Sequence, residues 1–374
     1  MMNWEILAQT MPEEINGVPI DAAIITSEEN CRYISGFHAS ARVVVVTREI
    51  AYLLTDFRYG EAARMQVKDC KVVVYQKLAK SIEEILRRHD IRGVLLEHEH
   101  LTLAQVDIYE TVCKQWNAVP VKDTTLDTLL KEMRAVKTEK EIENIKAAQS
   151  ITDAAFTHIL DYIDSNKSER EIALELEFFM RKQGAEKIAF DTIVVSGTNG
   201  SMCHGVPSDK KIQKGDFITM DFGAVVNGYH SDMTRTVAYG TVSEAQKQVY
   251  QTVLQAQLAA IQTATSGIPC NLVDKAARDI IDVNYAGTFG HTTGHAVGLE
   301  IHEWPYFAPA CQVITKPGMV ITVEPGIYLE GKFGVRIEDM VLIQENGCEN
   351  LTGSSKELLI LWFIHGYILK YFAK

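Results

Sequence analysis

The segment FITMDFGAVVNGYHSDMTRTVAYG, from Phe217 to Gly240, constrains the fold of this chain more than any other. Two strand-like patterns flank Asn227-Gly228, a dipeptide suited to a type I′ hairpin because both central residues of that turn need positive φ. A two-residue loop also fixes the register. Counting outward from Val226 opposite Tyr229 places Asp221 opposite Thr234 and diagonal to Asp232, with both aspartates on one face. Diagonal neighbours on a sheet lie roughly 7 Å apart at Cα, and side chains converge further. Two bare carboxylates that close repel one another, so the pair suits a shared cation. The other reading, in which one aspartate faces a loop and caps it, is equally open on the hairpin alone.

The rest of the chain divides into two patterns. From Ala22 to about Ala118, β-branched runs such as ARVVVV, IAYLLT, KVVVYQ and GVLLEHEH alternate with helical stretches such as SIEEILRRHD, as an α/β domain requires. Thr124 to Ala148 is charged and helical, which places a junction near residue 130. Helical patterns at about 139–163 and 168–183 then precede the strand-like segments FDTIVVSG, GDFITMDFGAVV, YHSDMTRTVAYG, GMVITVEPG and VRIEDMVLIQ. The second domain is therefore expected to be α+β, helices against an antiparallel sheet. The expected divisions are 1–130, 131–361 and a C-terminal tail, 362–374. A length of 374 residues supports two domains, and 47% hydrophobic with 23% charged residues suits folded globular ones.

Net charge is −12 and the basic residues are scattered, so nucleic acid has no footprint on which to dock. The N-terminus lacks a signal pattern, and no stretch reaches the ~20 apolar residues of a membrane span, so the expected location is cytoplasmic, without a membrane partner. The seven cysteines (31, 70, 113, 203, 270, 311 and 348) form no C-x-x-C pair and are expected to be reduced. Cys203 beside His204 has the composition of a nucleophile–base pair, but neighbours on an extended chain point to opposite faces. Glu97-His98-Glu99-His100 reads as a solvated strand end rather than a metal site, and KTEKEIENIKAA as a charged helix face.

Two further clusters carry chemistry. FGHTTGHAVGLEIHE holds His291, His295 and His302 in a glycine-broken stretch, and imidazole is both a common metal ligand and the proton carrier of neutral pH. Its glycines argue against a helical zinc-protease motif. Glu324 in ITVEPG and Glu338 in VRIED each end or adjoin an apolar strand pattern, which implies a compensating cation, and Arg336 shares a strand face with Glu338. Asp221, Asp232, His295, Glu324 and Glu338 together make an oxygen-rich set suited to two divalent ions such as Mn²⁺, Co²⁺, Fe²⁺ or Zn²⁺, and hence to hydrolysis.

These residues resemble the pita-bread metallopeptidases, specifically the proline peptidases comprising Xaa-Pro aminopeptidases and Xaa-Pro dipeptidases. The resemblance covers nearly the whole chain. ITSEENCRYISGF and LLTDFRYGEAA resemble a creatinase-type N-terminal domain, and MRAVKTEKEIENIKAA the first helix of the catalytic domain. MDFGA, SDMTRT, GHAVG, TVEPGIY and RIED match the family's five metal-ligand motifs in order. The resemblance implies that Asp232 and Glu338 bridge two ions, most simply Mn²⁺, that Asp221 holds one of them, and that His295 and Glu324 hold the other. The family also places a histidine seventeen residues before the first aspartate, where His204 stands. It implies that His204, His291 and His302 bind the substrate carbonyl or oxyanion and move the proton, and that Arg336 orients a carboxylate. Met202-Cys203 departs from the small residue and proline common at that place.

The implied activity is hydrolysis of Xaa-Pro bonds in dipeptides or at the N-terminus of short peptides, by a metal-bridging hydroxide with Glu324 as proton acceptor, in a homodimer. Two other functions use the same scaffold: a creatinase-like hydrolase, which lacks the metal set, and a non-catalytic binding module. The end of the chain, WFIHGYILKYFAK, falls outside the family pattern; an oligomer contact, a membrane-surface helix and a reading-frame artefact are the alternatives, and His365 within it is not assigned to the metal.

Overall fold

The register expected from Asn227-Gly228 holds in the computed structural model, which describes residues 2–364 and 367–372. Val226 pairs with Tyr229, and further out Asp221 pairs with Thr234. Asn227 and Gly228 have φ of 50° and 83°, as a type I′ turn demands. The hairpin is nevertheless not one continuous ladder. Its tip, Ala224–Val226 with Tyr229–His230, joins Lys187–Ile188 in a three-stranded sheet, whereas its base, Phe217–Phe222 with Met233–Tyr239, lies in a five-stranded one. Asp232 therefore sits in the break, just before a strand rather than within it.

The chain forms two compact units, Met1–Arg134 and Ala135–Lys374. In the second, the five-stranded sheet runs in the order Ile193–Ser196, Phe217–Phe222, Met233–Tyr239, Leu359–Ile364, Tyr367–Phe372. Its neighbours are antiparallel except Met233–Tyr239 with Leu359–Ile364, which is parallel. A second five-stranded sheet, wholly antiparallel, orders Glu303–Phe307, Gly294–Ala296, Val320–Val323, Asp339–Ile343 and Cys348–Asn350.

Helices Glu139–Ile159 and Glu169–Lys182 bury Ile145, Phe156, Ile172 and Leu176, and Glu244–Thr263 and Cys270–Tyr285 bury Val249, Val253, Val273 and Ile281. Each large aliphatic side chain so buried contributes about 1.5–3 kcal/mol. Thr138, Ser168 and Ser243 start three of these helices with capping boxes, which satisfy first-turn N–H groups and fix where the helices begin. The expected α+β arrangement is the one observed.

The first unit is a six-stranded sheet in the order Lys71–Val74, Ala51–Thr55, Arg42–Thr47, Ala22–Ile25, Gly93–Leu96, Val119–Val121. The three central strands are antiparallel and the outer pairings parallel, the latter connected through helices as parallel pairing requires. The solvated strand end expected at Glu97–His100 is correct only for residues 98–100. Glu97 is fully buried and accepts hydrogen bonds from Thr26, Ser27 and Asn30, which replace solvent around its carboxylate.

All seven cysteines are free. Among the described residues, no helix is long and apolar enough to cross a membrane. Tyr367–Phe372 is a strand paired with Leu359–Ile364, so the surface-helix alternative for the tail is set aside. His365 lies outside the described residues.

Candidate metal centre

Strand ends deliver the site. Asp221 lies near the end of Phe217–Phe222, Asp232 immediately before Met233–Tyr239, and His295 in Gly294–Ala296. Glu324 follows Val320–Val323 and Glu338 precedes Asp339–Ile343. Val323 pairs with Asp339, so Glu324 and Glu338 meet one step beyond that ladder. Glu338 N–H then crosses to Thr234 O at 3.1 Å, and Thr234 Oγ1 donates to Glu338 Oε2 at 2.7 Å, which joins the two five-stranded sheets at the site. These five side chains, with His204, His291, His302 and Arg336, line one cavity of 390 Å³. Every site residue singled out from the sequence is thus brought together.

His295 is placed by a close backbone approach, since a Cβ on Gly294 would fall 1.8 Å from Thr322 O. The His295 amide donates to Thr322 Oγ1 at 3.1 Å, and its Nδ1 lies 3.1 Å from Ala296 O. That contact puts the proton on Nδ1 and turns the Nε2 lone pair toward Asp232 Oδ2 at 3.5 Å and Glu324 Oε1 at 3.4 Å. Asp232, His295 and Glu338 each offer a ligand atom within 4.8 Å of the other two.

The electrostatics of this cluster demand a cation. Burial, then the charges of Asp221 and Glu324, push the Asp232 carboxyl well above the usual range. Burial and the charge of Asp232 do the same to Glu338, and burial raises Glu324. Asp221 Oδ1 and Asp232 Oδ1 are buried with no hydrogen-bond partner among the described residues. Buried polar atoms are almost always paired, so two orphaned carboxylate oxygens in one cavity fit hard divalent ions.

Arg336 pairs with a different carboxylate from the one its strand position suggests. Its guanidinium donates to Asp221 Oδ2 at 2.6 Å, not to Glu338, and also to Thr234 Oγ1 at 3.0 Å, Tyr328 OH at 2.9 Å and Cys203 O at 3.2 Å. The strand Phe333–Arg336 ends before Glu338, so the shared-face reasoning does not carry across the break.

Tyr328, not singled out from the sequence, donates its OH to His291 Nε2 at 2.9 Å, while His291 Nδ1 lies 2.9 Å from Thr292 O. Both His291 nitrogens are therefore occupied, and burial, followed by the Arg336 charge, lowers its pKa to about 4. Tyr328 lies in the strand Gly326–Leu329, past the end of Val320–Val323, so alternation along the strand that leads to Glu324 does not point to it. His302 packs edge-on to His295 with ring centroids 4.5 Å apart, and burial lowers its pKa. Among the described residues, neither His204 nor His302 has a hydrogen bond to its ring.

The sequence pattern of Metallopeptidase family M24 matches residues 143–345, more than half of the chain. The chain belongs to metallopeptidase family M24. The Creatinase/Prolidase N-terminal domain matches residues 9–136. The chain is 39% identical to the Xaa-Pro dipeptidase of Pyrococcus furiosus over 91% of this chain and 95% of that one. A solved Xaa-Pro dipeptidase from Bacillus anthracis superposes with a TM-score of 0.89 at 40% identity, covering 96% of this chain and 99% of the other. The X-Pro aminopeptidase of Thermotoga maritima gives 0.85 at 37% identity, covering 91% and 97%. A creatinase-type N-terminal domain followed by a pita-bread catalytic domain is thus the architecture of this M24 member.

Proposed function

We propose that Asp221, Asp232, His295, Glu324 and Glu338 hold two divalent metal ions and that this M24 member hydrolyses the bond between an N-terminal residue and proline in short peptides. The observation that carries the reading is the pair of orphaned oxygens, Asp221 Oδ1 and Asp232 Oδ1, in a cavity whose carboxyls are held out of their usual range. Relatives named for Xaa-Pro substrates support the choice of bond.

Divalent ions held by these five residues would supply Lewis acidity, which activates water near neutral pH and polarises the scissile carbonyl. In this reading Glu324, on the cavity wall beside His295, accepts a proton from the nucleophile. Tyr328 and Thr292 fix His291 as a neutral ring, so the oxyanion-donor role expected of it passes to His302. The proline nitrogen leaves only once protonated, and His204, exposed on the cavity wall, is the group to deliver that proton. Arg336, which donates to Asp221 Oδ2 at 2.6 Å, aims that carboxylate. A homodimer, a cytoplasmic setting and Mn²⁺ as the working ion belong to the same proposal.

Hydrolysis of Ala-Pro and Ala-Pro-Ala with Mn²⁺, repeated after chelation and after metal restoration, tests it. Metal-dependent cleavage of the dipeptide alone makes the chain a dipeptidase, and cleavage of the tripeptide makes it an aminopeptidase. Cleavage of neither by metal-loaded protein refutes the proposal.

A further inference from the structure

His204 is carried by the stretch between Ser196 and Ser208, and that stretch is closed at both ends by one carboxylate far from the metal cluster in sequence. Glu169 is 0% exposed. Its Oε1 accepts from Ser196 N at 2.7 Å, Ser196 Oγ at 2.8 Å and Asn199 Nδ2 at 3.1 Å. Its Oε2 accepts from Asn199 Nδ2 at 3.1 Å, Ser208 N at 3.1 Å and Ser208 Oγ at 2.6 Å. Every listener on this carboxylate belongs to the His204 segment, and all of them donate.

Local sequence explains how Glu169 comes free for this task. In the helix that begins at Glu169, the capping box is completed by Glu171, whose Oε2 accepts from Ser168 N and Ser168 Oγ, both at 2.8 Å. The helix N–H groups of Glu169 and Arg170 donate to Lys210 O and Ser208 O, at 3.1 and 3.0 Å, which lays the returning limb of the segment along the helix start. The carboxylate of Glu169 is then left to turn inward onto Ser196, Asn199 and Ser208.

From Asn199 the restraint passes along the chain to the histidine. Asn199 O accepts from Met202 N at 3.0 Å, and Met202 O accepts from Gly205 N at 3.1 Å, which brackets Cys203 and His204 between two turns. On the cavity side, Cys203 O accepts from Arg336 at 3.2 Å. His204 is thus held between a buried carboxylate on one side and the guanidinium that serves Asp221 on the other.

We propose that Glu169 is a positioning residue for His204: it sets the segment that presents this histidine to the cavity, and so governs proton delivery without touching the metal cluster. The inference rests on the role given to His204 above. Glutamine is a poor replacement for Glu169, because its NH₂ group would face the backbone N–H of Ser196 or of Ser208, a donor that cannot accept, whereas the carboxylate accepts from both.

The test is a double-mutant cycle of Glu169→Gln and His204→Ala in the full-length, Mn²⁺-loaded protein, read as kcat and KM on the better of the two peptides, with metal content and melting recorded. Glu169→Gln should lower kcat on the order of 10²-fold, the cost of an ångström-scale misplacement, with metal content retained. In the His204→Ala background the same change should alter kcat by no more than about twofold, because the group it positions is gone. Full multiplication of the two effects, or wild-type kcat in Glu169→Gln while His204→Ala is slow, overturns the proposal. Should Glu169→Gln fail to fold, Asn199→Ala takes its place in the same cycle, removing the two 3.1 Å contacts to Glu169 and one of 3.4 Å to Ser208 Oγ, and its loss of kcat must likewise vanish without His204. Wild-type turnover in His204→Ala alone refutes the role of the histidine itself, and with it any need to position it.

Discussion

Replacing Arg336 by methionine should separate the stability of the metal-free catalytic unit from that of the metal-loaded one. Arg336 is 3% exposed and its guanidinium makes four hydrogen bonds, one of them charge-assisted to Asp221 at 2.6 Å. Methionine fills a similar stem volume but leaves Asp221, whose side chain is 13% exposed, with neither carboxylate oxygen paired, since its buried Oδ1 already lacks a partner. Removing one member of a buried pair costs about 3–5 kcal/mol. For a unit of this size each kcal/mol corresponds to about 2–4 °C, so the metal-free variant should melt about 6–20 °C below the metal-free wild type. When cations occupy the cluster they neutralise Asp221 in place of the guanidinium, and part of the deficit should return. Mn²⁺ should therefore raise the melting temperature of Arg336→Met by more than it raises that of wild type. Calorimetry of both proteins, after chelation and after Mn²⁺ addition, reads this directly. A metal-free variant melting within about 2 °C of wild type would refute the reasoning, because Asp221 would then not depend on Arg336.

The raised carboxyls give a pH dependence of defined sign. Asp232, Glu324 and Glu338 have folded pKa values above their unfolded ones, chiefly from burial, so the metal-free fold gains stability below the unfolded values near about 4 and loses it as pH rises through the folded ones. The denaturation midpoint of chelated protein should fall between about pH 5 and about pH 8 relative to that of Mn²⁺-loaded protein, and Mn²⁺ binding should release protons; parallel midpoints and no proton release would count against it. Lys137 and Glu303 form a buried ion pair at 3.1 Å, with side-chain exposures of 1% and 5%. Lys137→Met should cost about 3–5 kcal/mol in urea denaturation, and a loss under about 1 kcal/mol would show the pair to be dispensable.

The legible parts of this molecule were those governed by short-range rules. Asn227-Gly228 fixed its own turn and, through it, the pairing of Asp221 with Thr234, because a two-residue loop leaves no freedom of register. The helical patterns expected at about 139–163 and 168–183 are observed as Glu139–Ile159 and Glu169–Lys182. Glu324 and Glu338 were legible because carboxylates at the ends of apolar strands are costly enough to need a reason, Asp221 and Asp232 through the hairpin register, His291, His295 and His302 through their clustering, and His204 only through the family resemblance.

What escaped depends on contacts between distant segments. The division of the hairpin between two sheets, the choice of Asp221 as the partner of Arg336, and the Tyr328 bridge to His291 all arise where strands end, and alternation along a strand says nothing beyond its last residue. Lys137 reads as one more charge in KTEKEIENIKAA, yet Glu303, far along the chain, draws it into the interior. Glu97 and Glu169 are alike in this respect: each is an ordinary acidic residue in sequence, and each is fully buried because serine, threonine and asparagine donors from another segment surround it.

The central claim is that the five converging side chains hold catalytic cations, and metal stoichiometry tests it most directly. Chelated protein reconstituted with Mn²⁺ and freed of excess should retain two ions per chain, whereas Asp232→Ala, folded by its melting curve, should retain fewer and lose Xaa-Pro hydrolysis. Asp232→Ala that keeps two ions and cleaves at the wild-type rate would contradict the assignment.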